Sequence, residues 1–186
     1  MNNMSKKSFT LIETIVVIAV IGLMLPALFS LIFSTLQEQA KINRLSEVKK
    51  QGDSATTVIE NVIRGNAVKV YSDQLLSQEQ CKTAGSFWDQ TASNLLYFKD
   101  KDGHWFRFYS NSDGRIASES SILSTTNTIT SSKVNIDNFL IGCTRRAASS
   151  APMVKLSFTL TYNPVSTRVE ENASLPYRTN ILLRNY

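Results

Sequence analysis

The chain has 186 residues, a formal net charge of +5, two cysteines and one histidine. That length allows one domain of moderate size plus an anchor. The positive bias is mild and forms no basic stripe with interleaved aromatics, which argues against a specific nucleic-acid partner, and one histidine with two distant cysteines cannot supply a four-ligand zinc site.

Residues 14–37 (TIVVIAVIGLMLPALFSLIFSTLQ) contain no charged side chain. As an α-helix this run extends about 36 Å, enough to cross a hydrocarbon core of about 30 Å. Apolar residues cover its whole circumference, whereas a helix at a soluble surface would show a polar face. A secretory signal has an apolar core of about 7–15 residues and then a small-residue cleavage pattern. Here the run is longer and continues into LQEQAKINRL. Lys6 and Lys7 precede it and belong on the cytoplasmic side, so everything after Leu36 is expected outside. Glu13 stands at its doorway. An acid at the centre of a membrane helix costs about 2.5–3.5 kcal/mol and calls for a partner; at headgroup level it costs little. Spacing alone leaves both readings of Glu13 open.

The helix is expected to continue to about residue 64. Ile42, Leu45, Val48, Ala55, Val58, Ile59, Val62 and Ile63 follow one three-and-four stripe among charged neighbours. Pro26 is expected to kink the helix, Gly52 to loosen it, and RGN at 64–66 to end it.

From Val68 the pattern changes to period two. VKVYS (68–72) reads as a short strand. NLLYFKDKDGHWFRFYSNSDGRIASES reads as two consecutive hairpins, turning at Asp102-Gly103 and Asp113-Gly114. KVNIDNFLIGC, MVKLSFTLTYN and YRTNILLRNY are three further strands, the second alternating cleanly through Val154, Leu156, Phe158, Leu160 and Tyr162. Residues 118–133 and 163–176, rich in Ser, Thr or Asn, are read as surface loops. The fold class is therefore α+β: a long N-terminal helix packed on an antiparallel sheet.

Cys81 and Cys143 both fall in the external part. An oxidising location favours a disulfide, whose loop closure stabilises by roughly 4 kcal/mol in the chain-entropy model; two buried thiols are the alternative. Arg145 and Arg146 in TRRAASS read as a solvated turn. His104, beside Trp105, reads as structural. Asp100 and Asp102 in KDKDG are spaced as calcium ligands could be, but the downstream acids of such a loop are missing and Asp-Gly in a hairpin explains them. NAS at 172–174 matches a glycosylation acceptor, a motif that recurs by chance. No nucleophile–base constellation is recognisable, so no catalytic residue, metal or cofactor is expected and the chain is not read as an enzyme.

Two lysines, a small residue, Phe-Thr-Leu-Ile-Glu and then an apolar run together resemble the N-terminus of type IV prepilins and type II secretion pseudopilins. The resemblance covers residues 6 to about 24. It implies that prepilin peptidase cuts between Ser8 and Phe9 and methylates the new amine of Phe9. Ser8 stands where the family has Gly, less often Ala, and Pro26 falls a few positions earlier than the family's proline. The implied organisation is a leader (1–8), a transmembrane and assembly helix (9–36), its amphipathic continuation (37–66) and an extracytoplasmic head (67–186). The resemblance further implies that Glu13 meets the N-terminal amine of a neighbouring subunit and sets register. The implied partners are prepilin peptidase, other pilin or pseudopilin subunits, the inner-membrane assembly machinery and lipid. The implied location is the bacterial cytoplasmic membrane, then a pilus or pseudopilus. DSATTVIENVIRGN, the Thr-rich late strand and LLRNY are similar to minor pseudopilins of the J type and related minor pilins. The alternative is an uncleaved, signal-anchored extracytoplasmic domain that binds a ligand or senses as a single molecule.

Overall fold

The computed structural model describes residues 10–89, 95–123, 125–163 and 172–184. Ser8 and Phe9 lie outside the described residues. The chain divides into two compact units, Met1–Ala40 and Lys41–Tyr186. One helix, α1 (Leu11–Asn66), contributes its first part to one and the remainder to the other.

In the first unit the helix runs continuously through Pro26. Large apolar side chains face outward on every side, from Leu25 at 44 % exposed to Leu23 at 80 %. Its best 18-residue window has a mean hydropathy of 2.8, so this helix is long and apolar enough to cross a membrane. Two of its hydroxyls turn back on their own helix: Thr14 Oγ1 donates to the Leu11 carbonyl (2.8 Å) and Thr35 Oγ1 to that of Leu31 (2.8 Å). A hydroxyl so bonded brings no unsatisfied polar group into hydrocarbon.

In the second unit Val48, Gly52, Ala55, Ile59 and Ile63 form the buried stripe of the helix. Two residues of the expected stripe depart from it: Ile42 is 63 % and Val58 40 % exposed. Gly52 also corrects the sequence reading. It does not loosen the helix; it is where Tyr177 packs on the backbone, and a methyl group there would overlap the phenol ring.

Among the described residues the strands are β1 (Lys69–Tyr71), β2 (Glu79–Gln80), β3 (Phe87–Asp89), β4 (Tyr97–Lys99), β5 (Trp105–Ser110), β6 (Ile116–Ser120), β7 (Asn127–Thr128), β8 (Val134–Thr144), β9 (Met153–Tyr162) and β10 (Ser174–Leu182). They make two antiparallel sheets where one was expected, in the orders β2-β1-β4-β5-β6-β7 and β10-β9-β8-β3. β7 lies inside the segment 118–133 read as loop, and β10 begins at Ser174, inside the segment 163–176 also read as loop.

The two expected hairpins share one turn design. Asp100 Oδ1 accepts the amides of Asp102 (3.0 Å) and His104 (2.8 Å), and Asn111 Oδ1 accepts those of Asp113 (3.1 Å) and Arg115 (2.9 Å). Gly103 and Gly114 occupy the left-handed positions, at φ 91° and 66°.

In β8 the pairing with β9 slips between Asp137 and Leu140, where Asn138 takes φ 54°. The extra residue changes parity: Val134 and Ile136 face the core before it, Ile141 and Cys143 after it. The core joins α1 residues such as Ile59 and Ile63 to Phe98, Phe108, Leu156 and Phe158.

Candidate assembly site at the start of the helix

Thr10 precedes the first helical residue, and Glu13 lies in the first turn. Glu13 Oε2 accepts both the Thr10 amide (2.9 Å) and the Thr10 hydroxyl (2.9 Å), while the Glu13 amide donates to Thr10 Oγ1 (3.4 Å). This reciprocal pairing is a capping box, which satisfies amides that the helix start would otherwise leave without acceptors. The carboxylate also suits the positive end of the helix dipole. The signal was present in the sequence as Thr-x-x-Glu before an apolar run, and the sequence reading passed over it. Ile12, Val16 and Val17 surround the carboxylate, so its setting on the helix is apolar and exposed.

Glu13 can therefore do two things. It caps its own helix, and it presents one negative charge from an apolar surface to a cation brought against it. Ser8 and Phe9, the expected cleavage and methylation positions, lie outside the described residues.

The remaining candidates lie in the second unit. Cys81 and Cys143 are disulfide-bonded, with Cα atoms 6.2 Å apart. Arg145 is not a solvated turn residue: it is 6 % exposed and its guanidinium donates to the carbonyls of Lys82, Ala147, Ala148 and Ser150. Arg146, by contrast, is exposed. No side-chain pattern announces the burial of Arg145, because its acceptors are backbone carbonyls, that of Lys82 from 63 residues away.

Ligand atoms of Asp100, Asp102 and His104 lie within 4.8 Å of one another. The same turn is built one hairpin later on the neutral Asn111, so turn-making accounts for Asp100 without a cation. On the face of β5 opposite Phe106 and Phe108, Arg107 lies over the rings of Tyr97 (5.4 Å) and Tyr109 (4.7 Å) and donates through Nε to Glu119 (2.7 Å). That group is balanced in charge and built across strands; the sequence reading did not single it out.

No protein family, curated protein or solved structure matches this chain.

Proposed function

We propose that the chain is a prepilin-like structural subunit, a minor pilin or pseudopilin, and not an enzyme. In this reading it is inserted in the bacterial cytoplasmic membrane with its N-terminus inside. Prepilin peptidase cuts it between Ser8 and Phe9 and methylates Phe9. Its helix then draws it into a type IV pilus or a type II secretion-like pseudopilus. The observation that carries the reading is the start of α1: a single carboxylate in the first turn of a helix whose next six turns are apolar all round and outward-facing. Such a surface needs lipid or sibling helices around it. Once siblings replace lipid, an anion in that low-dielectric bundle requires a cation, and removing one partner of a buried pair costs about 3–5 kcal/mol. The freed amine of a neighbouring Phe9 supplies the cation.

Intact mass and N-terminal sequencing of the membrane-extracted protein test processing. A chain starting at methylated Phe9 is expected, and one retaining Met1 overturns the reading. Glu13→Val is expected to leave the protein in the membrane but out of the filament fraction; incorporation at the wild-type rate overturns the proposed role of Glu13.

The capping box favours a second reading. A Glu13 already engaged by Thr10 needs no neighbour, as in an uncleaved anchor carrying an extracytoplasmic binding or sensor domain. The same mass measurement separates the two.

A further inference from the structure

The end of β8 is joined to the segment after β2 in two independent ways. One is the disulfide between Cys81 and Cys143. The other is Arg145, two residues further along. Its Nη1 donates to the carbonyl of Lys82, the residue after Cys81, while Nε donates to Ala147 (3.2 Å) and Ser150 (2.9 Å) and Nη2 to Ala148. The Arg145 amide donates to the Ser86 carbonyl (3.0 Å) and the Gly85 amide to the Arg145 carbonyl (2.8 Å), extending the β3–β8 pairing beyond Phe87.

Cys81 sits between these attachments at φ 53°, a left-handed conformation that a residue with a Cβ adopts only when its surroundings hold it. The guanidinium is nearly out of water, and carbonyl dipoles replace its hydration. Releasing Lys82 would remove one buried acceptor from Nη1, so the contact resists opening.

We propose that Arg145 is a second staple that does not depend on thiol chemistry. It holds residues 82–89, with β3 and the outward-facing Phe87, against β8 whether or not the Cys81–Cys143 bond exists. Either staple suffices alone, and the segment is released only when both are missing. The edge of the four-stranded sheet thereby keeps one shape in reducing and in oxidising surroundings. Gly142 adds to the fit: β3 lies so close that a methyl group there would meet Asp89 and the Trp88 carbonyl.

The test uses the full chain in detergent micelles and four forms of it: wild type, Cys81→Ser/Cys143→Ser, Arg145→Gln, and the triple variant. Amide hydrogen exchange is followed in a peptide covering 82–89, with a β9 peptide as the internal control for folding. Slow exchange is expected in the first three forms, and roughly tenfold faster or greater exchange only in the triple variant, with β9 still protected. Fast exchange in the cysteine-free chain shows that the disulfide alone holds the segment and overturns the proposal. Fast exchange in Arg145→Gln shows that Arg145 alone holds it, which overturns the proposal equally. Slow exchange in all four shows that neither is needed and also overturns it. Should Arg145→Gln fail to fold, Arg145→Lys decides by the same readout, because lysine keeps the charge but cannot reach four carbonyls.

Discussion

At the scale of single residues, three side chains make claims that can be separated by substitution. If Glu13 only caps its helix, Thr10→Ala and Glu13→Ala should do equal harm, about 1 kcal/mol of helix stability each. In an assembling subunit they differ: Thr10→Ala should still enter filaments and Glu13→Ala should not, which quantifying both chains in sheared filaments would show. Gly52 is the second. Alanine there gains about 1 kcal/mol of helix propensity but overpacks against Tyr177, a penalty of about 1–3 kcal/mol, so a net loss of thermal stability is expected. Tyr177 is the third. Its hydroxyl donates to the Lys49 carbonyl (3.2 Å), and burial, then the Asp53 carboxylate, push the phenol above its usual 10.0. The unfolded chain loses this proton first as pH rises. The stabilisation is therefore complete below pH 10 and disappears as pH climbs through the raised folded value. Melting curves across that range should fall more steeply for wild type than for Tyr177→Phe.

At the scale of elements, the legible and illegible parts of the sequence divide on physical grounds. The helix was readable because hydropathy and three-and-four spacing each identify it within a few turns. The paired hairpins were readable because Asp-Gly marks a left-handed turn position. The division into two sheets and the shortest strands were not, although β8, β9 and β10 were each read as strands. β2 and β3 have only two and three residues, and β8 changes parity at Asn138, so no single period-two reading runs through it. Arg145 was hidden for a related reason, since its partners are carbonyls that no side-chain pattern records. The Asp73 turn offers a check at this scale. Its carboxylate accepts the amides of Ser77 (2.9 Å) and Gln78 (2.8 Å), and the Ser77 amide chiefly holds it below the usual 3.8. Its contribution is present above pH 3.8 and lost as pH falls through the lowered value. Asp73→Asn should therefore lower stability near neutrality, flatten the acid limb and approach wild type at low pH.

At the scale of the whole molecule, the two units have opposite solvent requirements. Among the described residues every buried apolar side chain belongs to residues 48–183, while the first unit exposes nearly all of its own. A chain reduced to residues 41–186 is accordingly expected to fold in plain buffer, with the near-UV circular dichroism of the full protein. The full chain should require detergent or lipid. Aggregation of the shortened chain would mean that the apolar half-helix contributes to the core of the head, contrary to its exposure here.

The irregularity in β8 also constrains how the gene can change. Because the extra residue sits between two segments that already pair in register with β9, losing one codon between Asp137 and Leu140 would leave a regular strand, with Ile141 still opposite Leu156 and Cys143 still turned toward Cys81. Losing two codons there would instead turn Ile141 outward and carry the sulfur of Cys143 to the face away from Cys81. Loss of a single residue in this stretch should therefore be accepted where loss of two is not. A library of single-codon deletions scored for crosslinked product would find the most tolerant position of β8 at Asn138, many residues along the chain from the helix on which the rest of the protein depends.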